Sequence, residues 1–202
     1  MELKLLNKCE TKTLYNQEMT KAFPPCELKP LSAIEDMRDK GRYEPLGLYE
    51  GDELLGYAFM WLEPGVPFAL LDYLGVMEGK RGGGLGTACL DLLAQRYRDY
   101  RGVFGESEGV TSPDPDEAAL QRRRLDFYYR NGFRYGGYDC ALYGVHYETL
   151  IRGDEDVTAE ELLAAHRTIY ANHMPKRVYD RFIQIPLAPG EKPNPPAEWR
   201  EE

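Results

Sequence analysis

Residues 68–87 read FALLDYLGVMEGKRGGGLGT, and the amphipathic run ACLDLLAQRY follows at once. The first part is apolar and bounded by turn residues, as a strand is. The stripe Leu85, Cys89, Leu92 and Leu93 marks a helix predicted to reach about Tyr100. Between strand and helix the chain places Gly82, Gly83, Gly84 and Gly86. Where a strand enters a helix through glycines, several backbone N–H groups can face one concavity while the helix N-terminus adds partial positive charge. Such a turn is suited to holding phosphate.

Upstream, Tyr15, Met19, Ala22 and Phe23 recur at helical spacing and stop at Pro24-Pro25, and Leu31, Ile34 and Met37 repeat the pattern until Gly41. Two short helices are predicted. YEPLGLY and ELLGYAFMWL flank the turn Glu50-Gly51-Asp52, and FALLDYLGVM follows Pro64-Gly65-Val66-Pro67, so three consecutive antiparallel strands are expected. Downstream, GVFGESEGV reads as a strand. Asp114 followed by Pro115 and Glu117 predicts a helix from Pro115 to Arg130, which Asn131-Gly132 ends. FRYGGYDCALYG and VHYETLIRG read as closing strands, with Gly136-Gly137 marking a bulge or a close backbone approach. From Asp154 the composition changes. Thr158 and Glu161 form a capping box for an amphipathic helix that Pro175 terminates, and the proline-rich LAPGEKPNPPAEWREE is an extended or flexible tail.

Acidic residues outnumber basic ones by 34 to 25 among 202, a formal charge of -9. That balance opposes a sequence-independent grip on nucleic acid and favours cationic small molecules as partners. The opening MELKLLNKCE has neither a signal peptide's apolar core nor the length of a membrane span, so a cytoplasmic protein with no membrane partner is expected. Cys9, Cys26, Cys89 and Cys140 form no Cys-x-x-Cys pair, and His146, His166 and His173 lack metal-ligand spacing. Reduced thiols and no metal are expected.

Three phosphate-binding readings compete for the glycine loop. A P-loop needs Gly-Lys-Ser/Thr, but Ala88 follows Gly86-Thr87 and no lysine is present. A dinucleotide fingerprint needs a parallel strand-helix-strand unit in a register absent here. The third is the Arg/Gln-x-x-Gly-x-Gly/Ala loop of acyl-CoA-dependent acyltransferases, matched by Arg81, Gly84 and Gly86. With LDYLGV before the loop and RRRLDFYYRNGF on the later helix, residues 1 to 152 resemble the GNAT superfamily of N-acyltransferases. The resemblance implies an α+β fold, a mixed and mostly antiparallel sheet flanked by helices, in a domain of residues 1–152. A C-terminal helical appendage over 153–187 and the tail over 188–202 lie outside it.

The resemblance further implies that acetyl-CoA is the co-substrate and lies between the LDYLGV strand and the GESEG strand. Its pantetheine would pair with backbone at Leu74, Gly75 and Val76, and its pyrophosphate would meet Arg81, Gly82, Gly83, Gly84, Leu85, Gly86 and Thr87. Gln121 stands where many members carry an asparagine that contacts the cofactor. Of Arg122, Arg123 and Arg124, one or two can face the phosphates, and Arg124 is taken as a contact. Tyr128, counted back from Gly132 and Phe133, matches the tyrosine that stabilises the departing thiolate, in preference to Tyr129. Asp72 sits where such proteins often place a carboxylate that draws the proton from the amine. Glu106 and Glu108 alternate on one strand face, so they can hold a cationic acceptor or share that role.

The reading is an acetyl-CoA-dependent N-acetyltransferase acting on a primary amine. Polyamine, aminoglycoside, amino acid, peptide N-terminus and protein lysine all stay open as acceptor. The alternative is a catalytically silent module of this fold that binds an acyl-CoA or a protein. A homodimer is one way to cover the stripe of Leu162, Leu163, Ile169 and Tyr170 on the appended helix.

Overall fold

The computed structural model describes residues 1–199; the last residues of the proline-rich tail, 200–202, lie outside the described residues. The chain opens with strand β1 (Glu2–Leu5) and helix α1 (Lys8–Leu14), which winds through a π-helical turn at Tyr15–Met19 into the short α2 (Thr20–Ala22); helix α3 (Leu31–Asp39) follows. Strands β2 (Tyr43–Glu50), β3 (Glu53–Leu62) and β4 (Phe68–Val76) run antiparallel in succession, as their turn signals predict. Helix α4 (Leu85–Arg96), strand β5 (Gly102–Glu108) and helix α5 (Pro115–Arg130) come next. Strands β6 (Arg134–Leu142) and β7 (Val145–Gly153), helices α6 (Ala159–Ala171) and α7 (Lys176–Phe182) and strand β8 (Ile183–Leu187) complete the chain. All eight strands join one sheet in the order β1-β2-β3-β4-β5-β7-β6-β8.

Local chemistry sets the helix boundaries. Asp114 accepts hydrogen bonds from the backbone N–H groups of Asp116 (2.8 Å) and Glu117 (3.3 Å), and Thr158 with Glu161 forms the expected capping box. Helix α4 stops at Arg96, short of Tyr100, because Tyr97 leaves helical geometry and caps it through Leu93 O.

A one-residue insertion shapes the centre of the sheet. Phe59 on β3 pairs with Tyr73, but Met60 pairs with Leu71, so Asp72 is an extra residue on β4. Such a bulge bends its strand. The parallel pairing of β4 with β5 begins at Phe68–Gly102 and ends at Leu71–Gly105, immediately before the bulge. Beyond it, β4 stays with β3 as far as Val76 and β5 stays with β7 as far as Glu108, so the two strands part.

The sheet buries a core on each face. Met19, Ile34, Phe59, Trp61, Phe104 and Tyr170 belong to the aromatic-rich side under α1, α3 and α6, whereas Met60, Leu71, Cys89, Leu93, Leu125 and Leu150 belong to the aliphatic side under α4 and α5. Leu162, Ile169 and Tyr170 are fully buried within this chain, with Leu163 half-buried. The segment expected as a helical appendage thus contributes to the core, and it also supplies β8, which pairs antiparallel with β6. The diglycine explains the docking. A Cβ at Gly136 would lie 2.9 Å from Leu162 Cδ2 and 3.0 Å from Thr149 O, and one at Gly137 would lie 2.6 Å from Ala159 Cβ. The tail is extended and packed: Ala197 N–H donates to Tyr143 O (3.0 Å) and the Trp199 ring stacks on Tyr143 at 4.1 Å. No helix among the described residues is long and apolar enough to cross a membrane.

Candidate active site

The glycine loop is built by conformation more than by crowding. Gly82 (φ +93°) and Gly84 (φ +73°) adopt left-handed backbone that side chains disfavour, and a Cβ at Gly82, Gly83 or Gly84 would meet nothing within 4 Å. Gly86 differs, since its Cβ would come within 2.9 Å of the Phe127 ring and its absence lets α4 pack on α5. No side chain caps the first turn of α4 and no acid lies in it. The orphan N–H groups of that turn and the open space over Gly82 to Gly84 fit a phosphate or pyrophosphate. Arg81 is exposed beside them.

Leu74, Gly75 and Val76 are held on one edge by Ala58, Tyr57 and Gly56 of β3, and they lie past the last β4–β5 pair. Their second edge therefore faces the gap. Gly75 is required by its neighbour, because a Cβ there would overlap the Tyr57 ring.

Tyr128 is half-buried between the rings of Phe127 and Phe133, each 5.3 Å away, on the side of the sheet that carries Leu74 and Leu85. Burial pushes its hydroxyl up to about 12, so it stays protonated and able to donate. Tyr129 points outward, 40% exposed, and donates to Glu148 at 3.0 Å.

The three predicted acids sit close to the parting of the strands but are each engaged. Asp72, 4% exposed, receives Lys29 Nζ at 2.7 Å and the Tyr43 hydroxyl. Burial raises its pKa against the opposing pull of Lys29. Around the Lys29 ammonium stand the rings of Trp199 (4.4 Å), Trp61 (5.0 Å), Tyr73 (5.6 Å) and Tyr170 (5.8 Å). Glu106 bonds His166 Nε2 at 2.7 Å and accepts from the Tyr170 hydroxyl at 2.9 Å; burial raises its pKa, yet His166 and Lys29 outweigh that and lower it. Cys140 joins Glu106 and His166 in a buried group whose donor atoms all lie within 4.8 Å, drawn from β6, β5 and α6, a proximity no sequence spacing announces. Glu108 accepts from Gln121 Nε2 and Arg124 Nη1, both at 2.8 Å.

Gln121 is buried and committed within the chain. Its Oε1 accepts from the N–H groups of Thr111 (3.0 Å) and Ser112 (3.1 Å), while its amide holds Glu108, so it braces the turn leaving β5. Arg122 and Arg123 are exposed, and Arg124 is the one that turns toward the strand.

Glu27 escaped the sequence reading. Its loop is pinned to β4: Lys29 N–H donates to the Tyr73 hydroxyl at 2.8 Å, and that hydroxyl donates to Glu27 O at 2.9 Å. The half-buried Glu27 side chain lines a cavity of about 170 Å³ with Pro24, Glu108, Leu120, Gln121 and Arg124. Burial and then Glu108 push its carboxyl up to about 7, against Arg124 and Tyr147. Only Pro24-Pro25 and Pro30, which fix a loop between helices, hinted at this position.

A mixed sheet whose parallel centre parts at a bulge, beside an uncapped glycine turn, is the architecture that the acyltransferase resemblance implies. The model of the Acetyltransferase (GNAT) family matches residues 10–133, and the chain belongs to that family. No curated protein matches it in sequence. A putative GNAT-family acetyltransferase from Bacteroides thetaiotaomicron is similar in structure, with a TM-score of 0.68 at 17% identity over 86% of this chain and 98% of that one. The spermidine N-acetyltransferase of Vibrio cholerae in complex with CoA and spermine has a TM-score of 0.56 at 9% identity, covering 75% and 94%. The aminoglycoside 6'-N-acetyltransferase of Enterococcus faecium gives 0.57 at 15% identity, covering 76% and 97%.

Proposed function

We propose that this acetyltransferase moves an acetyl group from acetyl-CoA to the primary amine of a cationic acceptor by direct attack on the thioester, in the cytoplasm. The observation that carries the reading is the parting of β4 and β5 at Asp72, beside the glycine turn that opens α4. When bound, acetyl-CoA supplies an activated acyl group with a thiolate leaving group. The amides of Gly82 to Thr87, with Arg81 alongside, hold the pyrophosphate, and the free edge of Leu74 to Val76 pairs with the pantetheine amides. Tyr128 donates a hydrogen bond as charge develops on sulfur; full proton transfer from a phenol near 12 to a thiolate near ~8.5 would be uphill.

The acceptor must lose a proton, because an alkylamine has a pKa of ~10.4. The acidic surplus of the chain and the carboxylates around the gap suit an acceptor that arrives as a cation. Spermine and aminoglycosides, named with two of the similar structures, are polycations. Asp72 and Glu106 hold the inner wall through Lys29 and His166, and Glu108, held by Arg124 and Gln121, lines the cavity that an acceptor would enter. The test is a thermal shift with acetyl-CoA followed by thiol release across polyamines, aminoglycosides, amino acids and peptides. Stabilisation by acetyl-CoA with no thiol release from any amine would favour a silent acyl-CoA-binding module instead.

A further inference from the structure

The two strands that part at Asp72 form two lips, and one acid is suspended between them. Tyr73, next to the bulge on β4, fixes the backbone of Glu27 by accepting from Lys29 N–H and donating to Glu27 O. On the other lip, Tyr147 of β7 lies opposite Glu108 of β5 in the strand register, and both face the Glu27 carboxyl. The remaining carboxylates at the gap are each matched: Asp72 with Lys29, Glu106 with His166 and Glu108 with Arg124. Among the described residues Glu27 forms no ion pair, and it borders a cavity of about 170 Å³, room for an aminomethyl end of an acceptor.

From this placement we infer that Glu27 is the general base that takes the proton from the acceptor's ammonium group, an assignment that rests on the acetyl-transfer reading above. Glu27 accepts one proton from the ammonium nitrogen. The freed lone pair forms the N–C bond to the thioester carbonyl while the C–S bond breaks and its electron pair leaves on sulfur, beside the Tyr128 hydroxyl. Nitrogen gives up two protons in all; one ends on the thiolate and the other in solvent.

The surroundings suit the task. Glu108 on β5 disfavours charge on Glu27, Arg124 on α5 and Tyr147 on β7 favour it, Cys26 is its neighbour in the loop, and Glu117 on α5 is occupied by Ser112 Oγ at 2.9 Å. The balance leaves a carboxyl that titrates at about 7, so a large fraction is ionised at neutral pH and the base is stronger than an ordinary carboxylate.

The experiment measures kcat and kcat/KM against pH for the wild type and for Glu27→Gln, using the best amine from the thiol-release panel. In the wild type kcat/KM for the amine, which reports the free enzyme, should rise with pH through a limb centred near 7, because the base works only when deprotonated. Glu27→Gln should lose that limb and lower kcat by about 10² to 10⁴-fold, with the thermal shift induced by CoA unchanged. An active wild type whose Glu27→Gln variant stays within about fivefold and keeps the limb would overturn the assignment and leave acetyl transfer standing. A wild type that binds CoA and acetylates no amine would overturn the acetyl-transfer reading, and the base with it.

Discussion

Two glycine clusters lie on opposite faces of one sheet and do opposite things. Gly136 and Gly137 are walled in, with a helix side chain or backbone carbonyl within 2.6 to 3.0 Å of any added carbon. Gly82, Gly83 and Gly84 face empty space, and Gly82 and Gly84 are needed only for their left-handed backbone. The first cluster lets α6 seat against the sheet; the second opens a helix whose first turn no side chain caps. The same contrast separates the charges. On the α6 side Asp72, Lys29, Glu106 and His166 are satisfied inside the core, while the α4 side keeps an uncapped helix end. A glycine run in sequence is therefore ambiguous until its neighbours are known.

The sharpest way to break the contrast is Lys29→Met. It leaves Asp72 buried without its cation, which should cost about 3–5 kcal/mol, or roughly 6–20 °C in Tm for a chain of this size. A Tm within 2 °C of wild type would show that the buried pair is not needed for stability. Gly137→Val comes next, because it adds bulk against Ala159 at a φ of +94°. A loss of about 3 kcal/mol in denaturant unfolding is expected, and α6 should detach first, exposing its backbone to hydrogen exchange.

On the other face the effects should fall on chemistry and binding. Tyr128→Phe should lower kcat by on the order of a hundredfold with little change in CoA affinity, while Tyr129→Phe, which loses only a surface bond to Glu148, should stay near wild type. Equal small effects would assign the thiolate's partner to water. Gly83→Ala is the mildest. Its methyl meets no protein atom, so stability should move by less than about 0.5 kcal/mol, while CoA affinity measured by calorimetry should weaken by about tenfold as the concavity fills. Unchanged affinity would mean that the open space is not where phosphate sits.

What was legible in the sequence is what repeats or punctuates. The strand before the loop, the stripe of α4, the caps at Asp114 and Thr158 and the turn at Glu50-Gly51-Asp52 are local patterns, and the structure keeps them. The family loop was legible for the same reason. The bulge was not, because inserting Asp72 leaves LLDYLG looking like an ordinary strand and shows only in the pairing with β3. Lys29 is 43 residues from Asp72, and no period links them. Strands β1 and β8 span four and five residues, too short for alternation to register. Glu27 was passed over because a lone acid in a proline-bounded loop resembles any solvated acid until the fold brings Tyr147 and Glu108 to it.

The sheet order also governs how much of the chain must be made before the sheet is complete. The stretch matched by the family model ends at Phe133, yet the outer edge of β5 is covered by β7, which only begins at Val145. The next edge, that of β6, is not closed until β8 ends at Leu187. A chain made only through Phe133 would hold β5 with one hydrogen-bonding edge bare, a template for pairing with another chain. Completion of the sheet therefore waits on Ile183–Leu187, which begins fifty residues beyond the end of the stretch that the family model matches.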